Sequence, residues 1–201
     1  LVRSRGLGDV YKRQDPDIAY LGTDGAGVYR SSDGGAGWAP AGLDGRPVYS
    51  LAVDPANPDL VYAATGQAGV VRVSPDGGRQ WLDLALPGAA PYALALSPAQ
   101  PGTLYAGTSS GVFRTVEGAF VPSGLQGLGV PVIAAHPGRP GVVLAAGPEG
   151  AYVSVDGGLS WTPGPEELDG KTVQSLGFDP FDDHLAYFGT RTHGVLRVQI
   201  P

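Results

Sequence analysis

One short turn, repeated, limits what this chain can fold into. It reads SSDGGAGW from Ser31 to Trp38, SPDGGRQW from Ser74 to Trp81 and SVDGGLSW from Ser154 to Trp161. The first two copies start roughly forty residues apart and the last two roughly twice that. The skipped place holds a decayed copy, TVEGAF from Thr115 to Phe120, with Thr for Ser, Glu for Asp and Phe for Trp. A module of this length cannot bury its apolar faces alone and has to stack on its neighbours.

Other landmarks keep the same register. A Tyr-x-Gly/Ala-Thr block stands at Tyr20–Thr23, Tyr62–Thr65, Tyr105–Thr108 and Tyr187–Thr190, with a weaker copy at Leu144–Gly147. A Gly-apolar pair follows at Gly27-Val28, Gly69-Val70, Gly111-Val112, Gly150-Ala151 and Gly194-Val195. An x-Pro turn precedes at Asp54-Pro55, Ser97-Pro98, His136-Pro137 and Asp179-Pro180. Each unit thus reads as four short strands. The first is almost wholly apolar (48–53, 91–96, 131–135 and 173–178), which suits a strand covered on both faces. The fourth starts at the Trp of the turn. Four strands in about forty residues is the size of a propeller blade. The expected fold is all-β, a β-propeller of four-stranded antiparallel blades, with units near 15–46, 47–90, 91–130, 131–172 and 173–201.

The Asp-Gly-Gly core needs positive φ, which glycine supplies without steric cost. Asp33, Asp76 and Asp156 are placed to accept backbone N–H groups of their own turns, and Ser31, Ser74 and Ser154 to do the same more weakly. Gly35, Gly78 and Gly158 close the turns. Trp38, Trp81 and Trp161 are expected to fold back over their own hairpins, each making a self-contained plug. The turn as a whole is read as structural.

These residues resemble the Asp-box (BNR) repeat family, found in sialidases, xyloglucanases, sortilin-type receptors and a photosystem II assembly factor. The resemblance covers residues 15–201 and implies a propeller, often in an extracytoplasmic setting. It implies no single activity, and in that family the turn lies away from the active centre.

The opening LVRSRGLGDVYKRQ, residues 1–14, differs in texture and resembles translated sequencing-adapter read-through. It holds Arg3, Arg5, Lys12 and Arg13, and it stands where the first unit should carry its own x-Pro turn. It is expected to be a non-native or disordered extension. The first unit should then lack its innermost strand, and the last unit lacks a fourth. About four and a half blades are expected, as part of a larger propeller of roughly six to eight.

Composition narrows the chemistry. There is no cysteine, which removes disulfides and thiolate chemistry. The formal net charge is −6, and basic residues cluster only in the opening segment, so no nucleic-acid partner is expected. No apolar run is long enough to span a membrane. No cofactor is expected. The three histidines, His136, His184 and His193, have no metal-ligand spacing, so no metal site is expected.

Arg30, Arg72, Arg114 and Arg197 fall at one repeat position, with Val153 in the fifth place, and read as strand residues with stems packed and heads at a blade seam. Loops between second and third strands, and those between units, should share one edge, and such loops commonly carry function. They hold Asp24, Arg46, Gln67, Glu149, Glu166, Glu167, Asp169, Lys171, Arg191 and His193. A glycosidase needs two carboxylates about 5–9.5 Å apart, and Glu149 with Glu166, Glu167 or Asp169 is the candidate pair. A solvated acidic turn is the simpler reading of PEELDGK, Pro165 to Lys171. The leading expectation is a non-catalytic propeller that binds or assembles a protein or glycan partner. The alternative is a glycoside hydrolase of xyloglucanase or sialidase-like type.

Overall fold

The computed structural model describes residues 10–11 and 17–201. They form antiparallel sheets in simple up-and-down order. The first sheet holds β1 (Val10–Tyr11), β2 (Ala19–Gly22), β3 (Val28–Ser31) and β4 (Ala39–Pro40). The second holds β5 (Ser50–Val53), β6 (Val61–Ala64), β7 (Val70–Ser74) and β8 (Leu82–Ala85). The third holds β9 (Pro91–Leu96), β10 (Leu104–Thr108), β11 (Gly111–Val116) and β12 (Ala119–Pro122). The fourth holds β13 (Val132–Ala135), β14 (Val143–Gly147), β15 (Gly150–Ser154) and β16 (Thr162–Pro163). The last has three strands, β17 (Val173–Phe178), β18 (Leu185–Thr190) and β19 (Val195–Gln199). The fold class is all-β, with blades of β-propeller type. The chain divides into two compact units, Leu1–Leu94 and Ala95–Pro201, with the division inside β9.

The strands depart from the sequence expectations at three points. The first unit does have an innermost strand: β1 pairs with β2, Val10 opposite Tyr20 and Tyr11 opposite Ala19. It lies within the stretch read as a foreign extension, and the rest of residues 1–14 lies outside the described residues. Second, in the last three sheets the most enclosed strand is the second, not the first. Every residue of β10 and β14 is buried, whereas β17 buries only Val173. The second strand has a ladder on both edges and cover on both faces, while the first strand is an edge. Third, the fourth strands begin one residue after Trp38, Trp81 and Trp161 rather than at them.

Each unit has its own core. In the first, Tyr20, Val28, Val48, Leu51, Val61 and Ala63 meet from two sheets, with Ile18, Leu43 and Trp81 packed against them. In the second, Leu144, Val153, Leu168, Val173, Phe188 and Ile200 form the largest described cluster, again from two sheets.

The register of β7 carries a consequence that repeat spacing hid. Tyr20 stands opposite Arg30 and Tyr105 opposite Arg114, but Tyr62 stands opposite Val73, and Arg72 opposite Ala63. The strand between Gly69 and Ser74 has one residue more than its counterpart between Gly27 and Ser31. Because side chains alternate, that one residue turns Arg72 to the opposite face of its sheet. Arg72 is therefore not equivalent to Arg30 and Arg114.

Candidate functional site

The three complete Ser-x-Asp-Gly-Gly turns share one hydrogen-bond pattern. Ser31 Oγ donates to Asp33 Oδ1 at 2.7 Å and accepts the Gly35 N–H at 2.9 Å. Ser74 does the same with Asp76 and Gly78, at 2.9 and 2.7 Å, and Ser154 with Asp156 and Gly158, at 2.8 and 2.8 Å. Each carboxylate also accepts an N–H four residues on: Gly37, Gln80 and Ser160. Gly34 and Gly35 have φ of 70° and 92°, a conformation costly for any residue with a Cβ. These bonds favour the ionised carboxyl, so Asp33 and Asp76 titrate below the usual range. Asp156 is lowered to about 2, chiefly by its bonds from the Ser160 hydroxyl and N–H.

The indoles do not all plug their own hairpins. Trp38 does: its Nε1–H donates to Gly35 O at 3.1 Å, and the side chain is 40% exposed. Trp81 instead reaches back to the first sheet, donating to Ala41 O at 2.8 Å. Trp161 reaches back to the third, donating to Ser123 O at 2.5 Å. The indoles lie on glycines: a Cβ at Gly42 would sit 2.8 Å from Trp81 Cδ1, and one at Gly124 only 2.5 Å from Trp161 Cδ1. The next residues, Leu43 and Leu125, hold φ of 59° and 53°, a strained conformation at the same point of each seam. Two of the three turns are thus fasteners between sheets. An indole takes whatever carbonyl its neighbour offers, and the hairpin sequence does not contain that neighbour.

A Tyr-Arg pair closes the seam from the other side. In unit 2, Tyr105 Oη and Arg114 Nη1 both donate to Gly157 O, at 3.2 and 3.1 Å, while Ser123 Oγ donates to Gly158 O at 2.7 Å. In unit 1, Arg30 Nε donates to Tyr20 Oη at 3.3 Å, and a Cβ at Gly77 would lie 3.2 Å from that hydroxyl. Burial raises the pKa of both phenols, so they stay protonated donors. Arg72, on the other face, pairs with Asp83 and shares the Gln67 amide oxygen with Arg46, each at 2.9 Å.

The loop edge assembles in both units. In unit 1, Arg46 and Gln67 meet directly, and Asp24 forms an isolated bridge with Pro47. In unit 2, Glu166 and Glu167 open a short 3-10 turn, Glu166–Leu168, and Lys171 Nζ donates to Glu167 O at 2.5 Å. Thr172 Oγ1 donates to Pro148 O at 3.4 Å, and Arg191 N–H to Thr172 O at 2.9 Å, so the loops bearing Glu149, Asp169 and Arg191 are tied together. His193 is held by Thr190 Oγ1 and Thr192 Oγ1. A Cβ at Gly150 would lie 3.9 Å from Asp169 Cα, so the two acidic loops touch through backbone. Glu149, Glu166 and Asp169 are exposed and have no side-chain hydrogen bond among the described residues. The recess beside Glu149, lined by Val130, Pro148 and Tyr152, has a volume of about 40 Å³.

His136 is structural. It is 3% exposed, its Nδ1 accepts the N–H groups of Gly138 and Arg139, and its Nε2–H donates to Asp183 O at 3.1 Å. It occupies the turn position that Asp54 and Asp179 fill elsewhere with Oδ1. Among the described residues no group of three or more His, Asp or Glu is placed to hold a metal ion, and no helix is long and apolar enough to cross a membrane.

These sheets define a chain with propeller-type blades, and each of its two units has two candidate surfaces, a loop edge and a turn end. The fold is similar to that of the GH74 enzyme of Niastella koreensis, with a TM-score of 0.77 at 17% identity, over 94% of this chain and 36% of that one. It is similar to the GH74 xyloglucanase of Xanthomonas campestris, with a TM-score of 0.75 at 23% identity, over 96% of this chain and 36% of that one. It is also similar to YCF48 of Cyanidioschyzon merolae, with a TM-score of 0.67 at 18% identity, over 92% and 64%. The chain therefore spans about a third of the GH74 enzymes it matches. No protein-family model and no curated protein matches it.

Proposed function

We propose that the chain is a non-catalytic scaffold of Asp-box type, and that its loop edges, with Asp24, Arg46 and Gln67 in unit 1 and Glu149, Glu167, Lys171, Arg191 and His193 in unit 2, each offer a surface to a protein or glycan partner. One observation carries this reading. The recess beside Glu149 holds about 40 Å³, against several hundred for a site that encloses a small ligand. Within each unit the loops of the edge are laced to one another by hydrogen bonds. An extracytoplasmic setting belongs to the same reading, on the Asp-box resemblance, and fractionation of cells making the protein tests it.

Glycoside hydrolysis is the second reading, favoured by the likeness to a xyloglucanase fold and by the contact of the Glu149 and Asp169 loops. The two separate in one assay. Incubation with xyloglucan should release no reducing ends. Release that Glu149→Gln or Asp169→Asn abolishes, with the fold intact, would establish the hydrolase. The scaffold reading further expects a partner recovered by pull-down to be lost on Arg191→Glu and kept on Arg79→Leu, which lies in the turn between β7 and β8.

A further inference from the structure

The turn end of unit 1 holds a groove of about 690 Å³, well inside the size range of ligand sites. It runs between β4 and the Ser74–Trp81 turn, at the opposite end of the strands from the loop edge. Ile18, Ala39 and Pro40 give it an apolar wall, and Arg30, Asp59 and Arg79 line it with charge. The floor is the buried backbone of Gly77 and Gly78.

The charged heads are not consumed by the fold. Arg30 gives Nε to the Tyr20 hydroxyl and holds its guanidinium 6.0 Å from the centre of that ring, while its two terminal nitrogens have no hydrogen-bond or ion-pair partner among the described residues. The same holds for the Arg79 guanidinium and the Asp59 carboxylate. The matching seam in unit 2 is different. There Val121 stands opposite Arg114 where Ala39 stands opposite Arg30, and Leu159 takes the place of Arg79. Arg114 is also spent on Gly157 O. Fastening the sheets therefore requires neither the small Ala39 nor the cation at position 79.

The lining selects a ligand class. An anion would meet Asp59 and Asp76, a cation would meet two arginines, and an apolar molecule would leave charged heads desolvated without partners. A polyhydroxylated neutral molecule satisfies all three walls: its hydroxyls donate to Asp59 and accept from Arg30 and Arg79, and its C–H face lies on Ile18, Ala39 and Pro40. We propose that this groove binds a neutral sugar unit of an oligosaccharide, at a site separate from the loop edge and independent of what the loop edge binds.

Titration of cellotetraose into the isotopically labelled 201-residue chain tests this by amide chemical shifts. Saturable shifts are expected at Ile18, Gly77, Gly78 and Arg79. Arg79→Leu and Ala39→Val copy the residues of the matching seam, so the fold should hold, as amide spectra check. Each should weaken binding roughly tenfold, the loss of one charged hydrogen bond or of the space for the ring. Absence of shifts at high sugar concentration would overturn the proposal. So would tighter binding of glucuronate than of the neutral sugar, or shifts confined to the Asp24, Arg46 and Gln67 loops and indifferent to both variants. That last result would leave the scaffold reading standing and the groove without a role.

Discussion

The seam between the first two sheets in unit 1 and the seam between the third and fourth in unit 2 use the same parts to different ends. Both have an indole lying on a glycine, at Gly42 and Gly124, and both have a Tyr-Arg pair facing the glycines of the next turn. In unit 2 three side chains of the seam reach the neighbour: Tyr105 Oη, Arg114 Nη1 and Ser123 Oγ all donate to Gly157 or Gly158. In unit 1 the position of Ser123 is Ala41, and Arg30 stops at Tyr20. The indole and the glycine are what a fastener needs. The remaining positions can be spent on closure, as in unit 2, or left open, as in the groove.

Substitutions can break that comparison. The largest effect is expected from Gly124→Ala. Its Cβ would sit 2.5 Å from Trp161 Cδ1 at a φ of +100°, so overpacking and backbone strain add to about 3 kcal/mol or more. Gly45→Ala, also at positive φ but with nothing within 4 Å, should lose only the backbone part, about 1 kcal/mol. Urea melts of the pair decide whether the indole contact matters. Trp161→Ala comes next, at about 2–3 kcal/mol, below the range for a fully buried indole because this one is half-buried. Trp38→Ala should cost under about 1 kcal/mol, since its indole is exposed and bonded only within its turn. Equal costs would mean the turns act as isolated plugs. Arg114→Ala should cost about 1–2 kcal/mol for its charged bond to Gly157, while Arg79→Leu should fall within about 0.5 kcal/mol of the parent.

A further small effect is expected with acid. Burial holds the His136 pKa below 6.5, so the unfolded chain binds the proton more readily. The contribution of this histidine is complete above 6.5 and declines as the pH falls below it, because a proton on Nδ1 would face two N–H donors. His136→Asp, with the residue that Asp54 and Asp179 provide at this turn, should flatten the melting temperature between about pH 6.5 and pH 5 by a few degrees. The turn carboxylates act lower. Their stabilisation is complete above 3.8 and disappears as the pH falls, through about 2 for Asp156.

Much of this fold was legible in the residues. The Asp-Gly-Gly turns, the four-strand units and the x-Pro turns appear where spacing puts them, because each is decided by local backbone chemistry. What depends on a neighbour was not legible. The repeat cannot say whether Trp81 covers its own hairpin or Ala41, nor that one extra residue before Ser74 turns Arg72 away. The β1 pairing at Val10–Tyr11 was hidden by the texture of its surroundings. Of the candidate residues, the structure brings together Arg46 and Gln67 in unit 1 and the Glu149 loop and Asp169 in unit 2. The groove was missed because its signal is a contrast between units, Ala39 against Val121 and Arg79 against Leu159, which appears only when seams rather than turns are aligned.

Hydrogen exchange at the three indole N–H groups is the sharpest test of the fastening scheme, since each gives its own resonance. The Trp81 and Trp161 protons should be strongly protected by the carbonyls of Ala41 and Ser123, and the Trp38 proton should exchange much faster. Three indoles exchanging at one rate would contradict it.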